Sequence, residues 1–284
     1  VNPFLLFSGV VAAVLLWGWI ETLRFRIVKT EFRSPRVPEE FHGYRLILIG
    51  GLHLRRKGRW NDRLVSRLKK LGGDLLLIGG NVKPTHRSDN QKVHRRLRHL
   101  LDRLSYPDGI LCVRGYRDRK RFWEEAPADP PYHLLTNDHF RIARGDAGIS
   151  VLGLQTAHAS HLDRGINQLR EALGTLEESQ REDLRILLGQ SPDLLRVAQG
   201  LPIDLILSVD NLFYQVRIPG LGMVPRRDSK VPWSWEFGWK NEGRIGMYLS
   251  PGLGKRWLPF RFFCRPQIVC VELEHAARSV RAES

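Results

Sequence analysis

The apolar positions of this chain follow several spacings, and each predicts a different element. Residues 1–20 carry no charge, and the run FLLFSGVVAAVLLWGWI inside them is almost wholly apolar. About 20 such residues make a helix long enough to cross a bilayer core of roughly 30 Å. Further along, short unbroken apolar runs ending in glycine alternate with stretches at helical spacing. YRLILIG, DLLLIGG and GILCVRG read as buried strands. Between them, residues 59–71 place Leu64, Leu68 and Leu71 on one face, and residues 89–104 form a very basic amphipathic helix. This βαβαβ rhythm predicts a parallel sheet with covering helices. HLLTND, FRIAR and GISVLGL follow as short strands, then a helix over residues 164–180, the strand DLRILLG, a helix after Pro192, and DLILSV. The last third is rich in turns and aromatics, with QVRIP, GMYLSPGLG and QIVCVEL as its strands.

In open α/β sheets, ligands collect at the carboxyl ends of the strands. Gly51, Gly80, Gly115, Gly189 and Val209 all lie at or just beyond such ends. A site is therefore expected from these five turns.

Length and composition suit one sizeable α/β domain with a short appendage: 284 residues, 42% of them hydrophobic. Charge changes the picture. The chain has 45 Lys+Arg against 30 Asp+Glu, a net charge of +15, which favours anionic partners such as phospholipid. The basic helix (Lys92, Arg95, Arg96, Arg98, Arg103) and the loop with Arg55, Arg56, Lys57 and Arg59 read as a face docking on anionic membrane lipid, against the plainer reading of a solvated face. Nucleic acid is disfavoured, because no motif with interleaved aromatics accompanies the charge. Cys112 and Cys270 lie in apolar strands and read as small core residues, and the three cysteines have no zinc-ligand spacing.

The N-terminal apolar segment lacks a basic stretch before it and a small-x-small cleavage site, so it reads as an uncleaved anchor. Arg24, Arg26, Lys29, Arg33 and Arg36 follow it, which orients the domain to the cytoplasmic side of an inner membrane and sets those cations against headgroups. The expected organisation is an anchor at 1–20, a basic juxtamembrane connector at 21–43, a domain at 44–274 and a tail at 275–284.

The strand-end turns carry a recognisable series. In order they are Gly50-Gly51-Leu52-His53, Gly79-Gly80-Asn81, Gly115-Tyr116-Arg117-Asp118, Gln190-Ser191-Pro192-Asp193, and the stretch from Ser208 through Asp210 and Leu212 to Pro219. SPGLG at 250–254 and LPFRFFCRPQI at 258–268 close the series. The chain resembles the calcineurin-like metallophosphoesterase superfamily, and in particular its membrane-associated bacterial branch that includes UDP-2,3-diacylglucosamine pyrophosphate hydrolases. The resemblance runs from about residue 22 to 274. It implies a four-layer αββα sandwich, preceded here by one transmembrane helix, and a dinuclear metal centre that hydrolyses phosphoesters.

Carried over residue by residue, that centre is depleted. The resemblance places the first metal's ligands at Gly51, His53, Gly80 and Leu212, and the second's at Gly80, Tyr116, Gln190 and Asp210. Gly80 stands for the bridging Asp, and Arg117 for the His that would face the scissile phosphate. Two close cations need a bridging anion to offset their repulsion, and one His with one Asp makes a poor site for Mn, Fe or Zn. The expectation is a non-catalytic binding or scaffold protein without a metal cofactor. Its ligand would be a phosphorylated lipid or a nucleotide-sugar, and its partner could be an intact paralogue. The rival expectation is an active phosphoesterase with a mononuclear Mn or Fe site on His53, Asp210 and Asp118.

Plainer readings stand beside these. His53 reads more simply as a buried or turn histidine held by backbone, Asp210 as turn chemistry, and Asp118 and Asp193 as caps of the helices that follow them. Tyr116 and Arg117 either bind phosphate or fill the volume the metals left. The glycine turns could also expose N–H groups as an anion nest, with Arg114, Arg117 and Arg119 around it. The alternation Trp233, Trp235, Phe237, Trp239 fits either a sheet face or a loop dipping into lipid.

Overall fold

Two six-stranded sheets lie face to face in the computed structural model, which describes residues 2–55, 58–154, 161–209, 215–218, 222–223, 237–255 and 259–277. The chain opens with a long helix, α1 (Pro3–Glu21), and then enters the first sheet with β1 (Arg26–Ser34). Three βα units follow: β2 (Tyr44–Ile49) with α2 (Arg59–Leu71), β3 (Leu75–Ile78) with α3 (Asn90–Leu101), and β4 (Ile110–Val113) with the short α4 (Lys120–Glu124). β5 (His133–Leu135) ends this half. The second sheet takes β6 (Asp138–Arg144), β7 (Ala147–Gly153), α5 (Leu162–Gly174), β8 (Leu184–Gly189), α6 (Leu194–Ala198) and β9 (Leu205–Val209). After the two-residue pair β10 (Arg217–Ile218) and β11 (Gly222–Met223) come β12 (Gly238–Glu242) and β13 (Ile245–Ser250). The last strand, β14 (Gln267–His275), returns to the first sheet.

The strand orders are β1-β14-β2-β3-β4-β5 and β12-β13-β9-β8-β7-β6. β2 to β5 run parallel, as do β7, β8, β9 and β13, while β14, β6 and β12 lie antiparallel to β2, β7 and β13. Strands buried on both faces have no polar face to alternate with, which is why they read in sequence as unbroken Leu/Ile/Val runs. Leu46, Leu48, Leu75 and Leu77 meet Ile186, Leu188, Leu205 and Leu207 between the sheets. Ile47, Ile49, Leu76 and Ile78 turn the other way, onto Leu64, Leu68 and Leu97 of α2 and α3. Leu187, Ile206 and Met247 pack on Leu169 and Leu194 of α5 and α6. The result is the expected four-layer αββα sandwich. Cys112, Cys264 and Cys270 are buried free thiols, as their apolar contexts suggested for the first and last.

The segment expected to be a connector, residues 21–43, is largely structural. Arg26 to Ser34 pair parallel with Gln267 to His275 along the whole of β1. The reason lies at the far end of the chain: β14 would otherwise present an unpaired edge. Phe32 and Val37 join the inter-sheet core. This placement also corrects the row of five headgroup cations. β1 runs away from α1, and Arg36 pairs with Glu182 at 3.0 Å and Asp204 at 3.5 Å in the body of the protein. Of the aromatic alternation, Trp233 and Trp235 lie outside the described residues. Trp239 faces the sheets, stacking on Phe32 at 6.1 Å and donating from Nε1 to Thr30 Oγ1 at 2.6 Å.

α1 is long and apolar enough to cross a membrane, and most of its side chains are exposed. Its last turn docks on the domain. Arg261 N–H donates to the Gly18 carbonyl at 3.0 Å, and Trp17 meets Phe263 edge-on at 5.0 Å. A Cβ on Gly18 would fall 2.6 Å from the Phe262 ring, so glycine is what allows this approach. Since β1 starts beside the end of β2, the helix joins the sandwich at the edge where the strand-end turns gather.

Candidate functional site

The turns after β2, β3 and β4 are knitted together by backbone. Gly51 N–H donates to Gly80 O at 2.8 Å, His53 N–H to Asn81 O at 3.1 Å, and Leu54 N–H to Val82 O at 2.9 Å. Gly80 takes φ +81°, and a Cβ there would lie 2.6 Å from Gly115 Cα and 2.7 Å from Gly115 N. A Cβ on Gly115 would sit 2.0 Å from Asn81 N. The β3 and β4 turns thus touch backbone to backbone. From the opposite sheet, Val209 fills the remaining space: Cβ atoms on Gly50 and Gly79 would come within 2.9 and 2.7 Å of its methyl groups. Both glycines make room for that valine.

His53 is buried in the left-handed region at φ 44°, with Nδ1 donating to Lys83 O at 2.9 Å. A carbonyl can only accept, so Nδ1 carries the hydrogen, and in the neutral form of the ring the lone pair is on Nε2. Tyr116 N–H donates to Gln190 Oε1 at 2.7 Å, tying the β4 turn to the β8 turn, while its ring is half exposed and edge-on to His86 at 6.0 Å. Arg117 N–H donates to Asn81 Oδ1 at 3.0 Å. Arg114 is half-buried; its Nε has no partner among the described residues, and burial lowers its pKa. Arg119 is exposed. Asp210 and Leu212 lie outside the described residues.

Asp118 is neither a cap nor poised toward a ligand. Fully buried, it accepts from the N–H groups of Lys83 at 2.8 Å, Val82 at 3.0 Å and Gly115 at 3.2 Å, stapling the β4 turn to the β3 turn. Burial pushes its carboxyl up to about 6, while these backbone donors pull the other way. Helix α4 instead starts from Arg119. Asp193 does occupy the N-cap position of α6, but its carboxylate bonds the Ser191 hydroxyl at 3.0 Å rather than the helix N–H groups. Asp118→Asn would set amide hydrogens against the same donors. We expect a loss of about 2–4 kcal/mol in urea unfolding, comparable to orphaning a buried charged-group network; a loss under about 0.5 kcal/mol would contradict the staple.

The nest expectation fares poorly for the same reason. The N–H groups of Gly51, Gly79, Gly115, Tyr116 and Arg117 already serve Gly80, Ile49, Asp118, Gln190 and Asn81. Nor do the described residues fit a bridged pair of metals. The bridging position has no side chain and no room for one, and no group of three His, Cys, Asp or Glu side chains comes together among the described residues.

Residues to which the motif reading assigned no role hold this edge in place. Arg261, fully buried, donates from Nη2 to Gly254 O at 2.7 Å and Pro251 O at 3.2 Å, and from Nη1 to Cys264 O at 3.2 Å. Leu253 and Gly254 donate in turn to the carbonyls of Gly50 and Gly51 at 2.9 and 2.7 Å. A continuous path thus runs from Gly18 of α1 through Arg261 to the first turn. Lys83 is also buried, bonding Asn90 Oδ1 and His86 O, with burial lowering its pKa. Next to His53, a cavity of about 520 Å³ extends past Leu52 and Trp60 to Leu23 at the end of α1, with Arg55, Arg59 and Lys255 in its wall. Burial and the neighbouring Arg55 and Arg261 hold Lys255 below the ordinary lysine range.

Two stacked sheets whose turns meet at one edge, with the motif series in order, define a class: the chain resembles the metallophosphoesterase superfamily, and its relatives support that likeness. It is similar to the uncharacterized metallophosphoesterase YkuE of Bacillus subtilis, with 24% identity over 274 residues covering 94% of this chain and 93% of that protein. It is also similar to the UDP-2,3-diacylglucosamine pyrophosphatase LpxG of Chlamydia muridarum, with 21% identity over 319 aligned positions covering 91% and 93%. Among solved structures, YfcE, a phosphoesterase from E. coli, aligns over 75% of this chain and 82% of its own at 12% identity and a TM-score of 0.33. No family model matches.

Proposed function

We propose that this is a membrane-anchored phosphoesterase-fold protein that binds a phosphorylated ligand without hydrolysing it. One observation carries the reading: the Gly80 position, where a bridging carboxylate would stand, lies 2.6 Å from the Gly115 backbone as measured from an added Cβ. Members of the superfamily use divalent metals, and the residues at this chain's ligand positions offer His53 as the one imidazole among Gly51, Gly80, Tyr116 and Gln190. The ligand would be a phosphorylated lipid or nucleotide-sugar, the chemistry named for the LpxG relative. It would lie near the half-buried Arg114 and Arg117, with Arg119 at the rim. We place α1 across the inner membrane with the domain on the cytoplasmic side, following the cations after the span. A protein partner, including a paralogue with a complete ligand set, is compatible with this reading.

A second reading keeps one supporting observation. The His53 ring is held through Nδ1 in the way ligating histidines are, with Nε2 as the lone-pair atom. In that case a single metal on His53 and Asp210 would supply Lewis-acid chemistry. Metal content of the purified full chain, measured together with hydrolysis of bis(p-nitrophenyl) phosphate, separates the two. We expect well under one Mn or Fe per chain and no cation-dependent turnover. Near-stoichiometric metal or robust cation-dependent turnover would sink the first reading.

A further inference from the structure

A groove of about 540 Å³ lies outside the cleft, between the end of α1 and one face of α2. Its walls carry Arg24, Arg63, Arg67 and Lys70, and its floor carries Leu23 and Phe25. Arg63, Arg67 and Lys70 recur at i, i+4 and i+7 and so share one side of the helix. The opposite side of α2, with Leu64, Val65 and Leu68, is buried against the first sheet. Like charges four residues apart repel each other, and the carboxylate α2 does carry, Asp62, is turned away to Arg103 at 2.7 Å.

Several of the chain's other cations are already engaged within the protein. Arg36, Arg103 and Arg141 pair with Glu182, Asp62 and Asp183, and Arg96 and Arg98 donate to the carbonyls of Leu54 and Asp129. Arg96, Arg98 and Arg103 of the basic face read from the sequence are thus engaged within the protein. The side chains of Arg24, Arg63, Arg67 and Lys70 make no ion pair or hydrogen bond among the described residues. Among the described residues no carboxylate lines the groove, and Ser66 adds a hydroxyl donor.

Position supplies the occupant. Leu23, Arg24 and Phe25 come directly after the apolar helix, so the groove opens at the level where α1 leaves the membrane. Phe25 packs on Trp60 at 5.3 Å, giving the floor an apolar surface suited to a glycerol backbone and the start of an acyl chain. From this geometry we infer that the groove is a headgroup site for an anionic phospholipid of the membrane that α1 enters. The inference rests on α1 as an anchor and is independent of what the cleft binds.

The test uses the full chain purified in detergent and supplied with equal amounts of phosphatidylglycerol and phosphatidylcholine. Native mass spectrometry counts the lipids retained. The wild type is expected to keep phosphatidylglycerol in preference. A variant carrying Arg24→Gln, Arg63→Gln, Arg67→Gln and Lys70→Gln should lose that preference by about fivefold per cation removed. A control with the same charge taken from exposed Lys120, Arg121, Arg170 and Arg181 should keep it. Equal loss in both variants, or no loss in the groove variant, would overturn the site. Displacement of the lipid by inorganic phosphate would overturn the lipid in favour of a soluble anion. Metal content and hydrolysis do not enter this measurement, so its failure is separate from that of the proposed function.

Discussion

Gly80→Asp, which puts a carboxylate at the position the resemblance assigns to the bridging ligand, is expected to destabilise the protein by about 3–5 kcal/mol rather than to create a metal site. Two costs add. The residue sits at φ +81°, where a side chain is strained, and its Cβ meets the Gly115 Cα and N at 2.6 and 2.7 Å. Those are backbone atoms in a turn stapled by Asp118, so they cannot swing aside as a long side chain would. Gly80→Ala carries the same Cβ without the charge and should cost nearly as much. Urea unfolding of both variants, with metal analysis of the aspartate variant, checks the claim. A stable Gly80→Asp protein holding stoichiometric manganese would show that the turn relaxes, and the binding-only reading would fall with it.

Arg261→Met should be comparably severe, with a loss of about 3–5 kcal/mol. The guanidinium is fully buried and its donors satisfy the carbonyls of Pro251, Gly254 and Cys264. Methionine refills most of the volume, so the cost isolates the orphaned acceptors rather than a cavity. Arg261→Lys should recover only part of it, because an ammonium cannot reproduce the planar fork. There is a second readout. Since Arg261 N–H holds Gly18 O and its side chain holds the loop on Gly51, the variant should expose the junction after α1 to limited proteolysis. Wild-type protection in a destabilised variant would separate the helix from the clasp.

Much of the fold was legible beforehand. Residues 59–71 announced α2 through Leu64 and Leu68, and each Leu/Ile/Val run closed by glycine became a strand. β1 was not, although IVKTEF alternates, because basic residues and flanking prolines read as linker and its partner lies over 200 residues away. β12 was hidden among aromatics, with Trp239 a sheet residue after all. For the site, the turns that meet were visible in order, but the job of each side chain was not. Asp118 looked like a cap or a ligand and is a staple; Val209 and Arg261 stood inside the motif series with no role assigned, and they hold the edge together.

The sequence by itself determined what is local or a matter of residue type: periodicity, the apolar helix, the excess of cations, and the glycines where a carboxylate would be needed. Tertiary structure alone decided which of those cations find partners and which are left facing the end of α1. It also decided that Gly80 has no room for a side chain. The physical reason is the same in each case. Hydrogen bonds, ion pairs and van der Waals overlap act over a few ångströms, and the atoms concerned come together only when turns from distant strands meet.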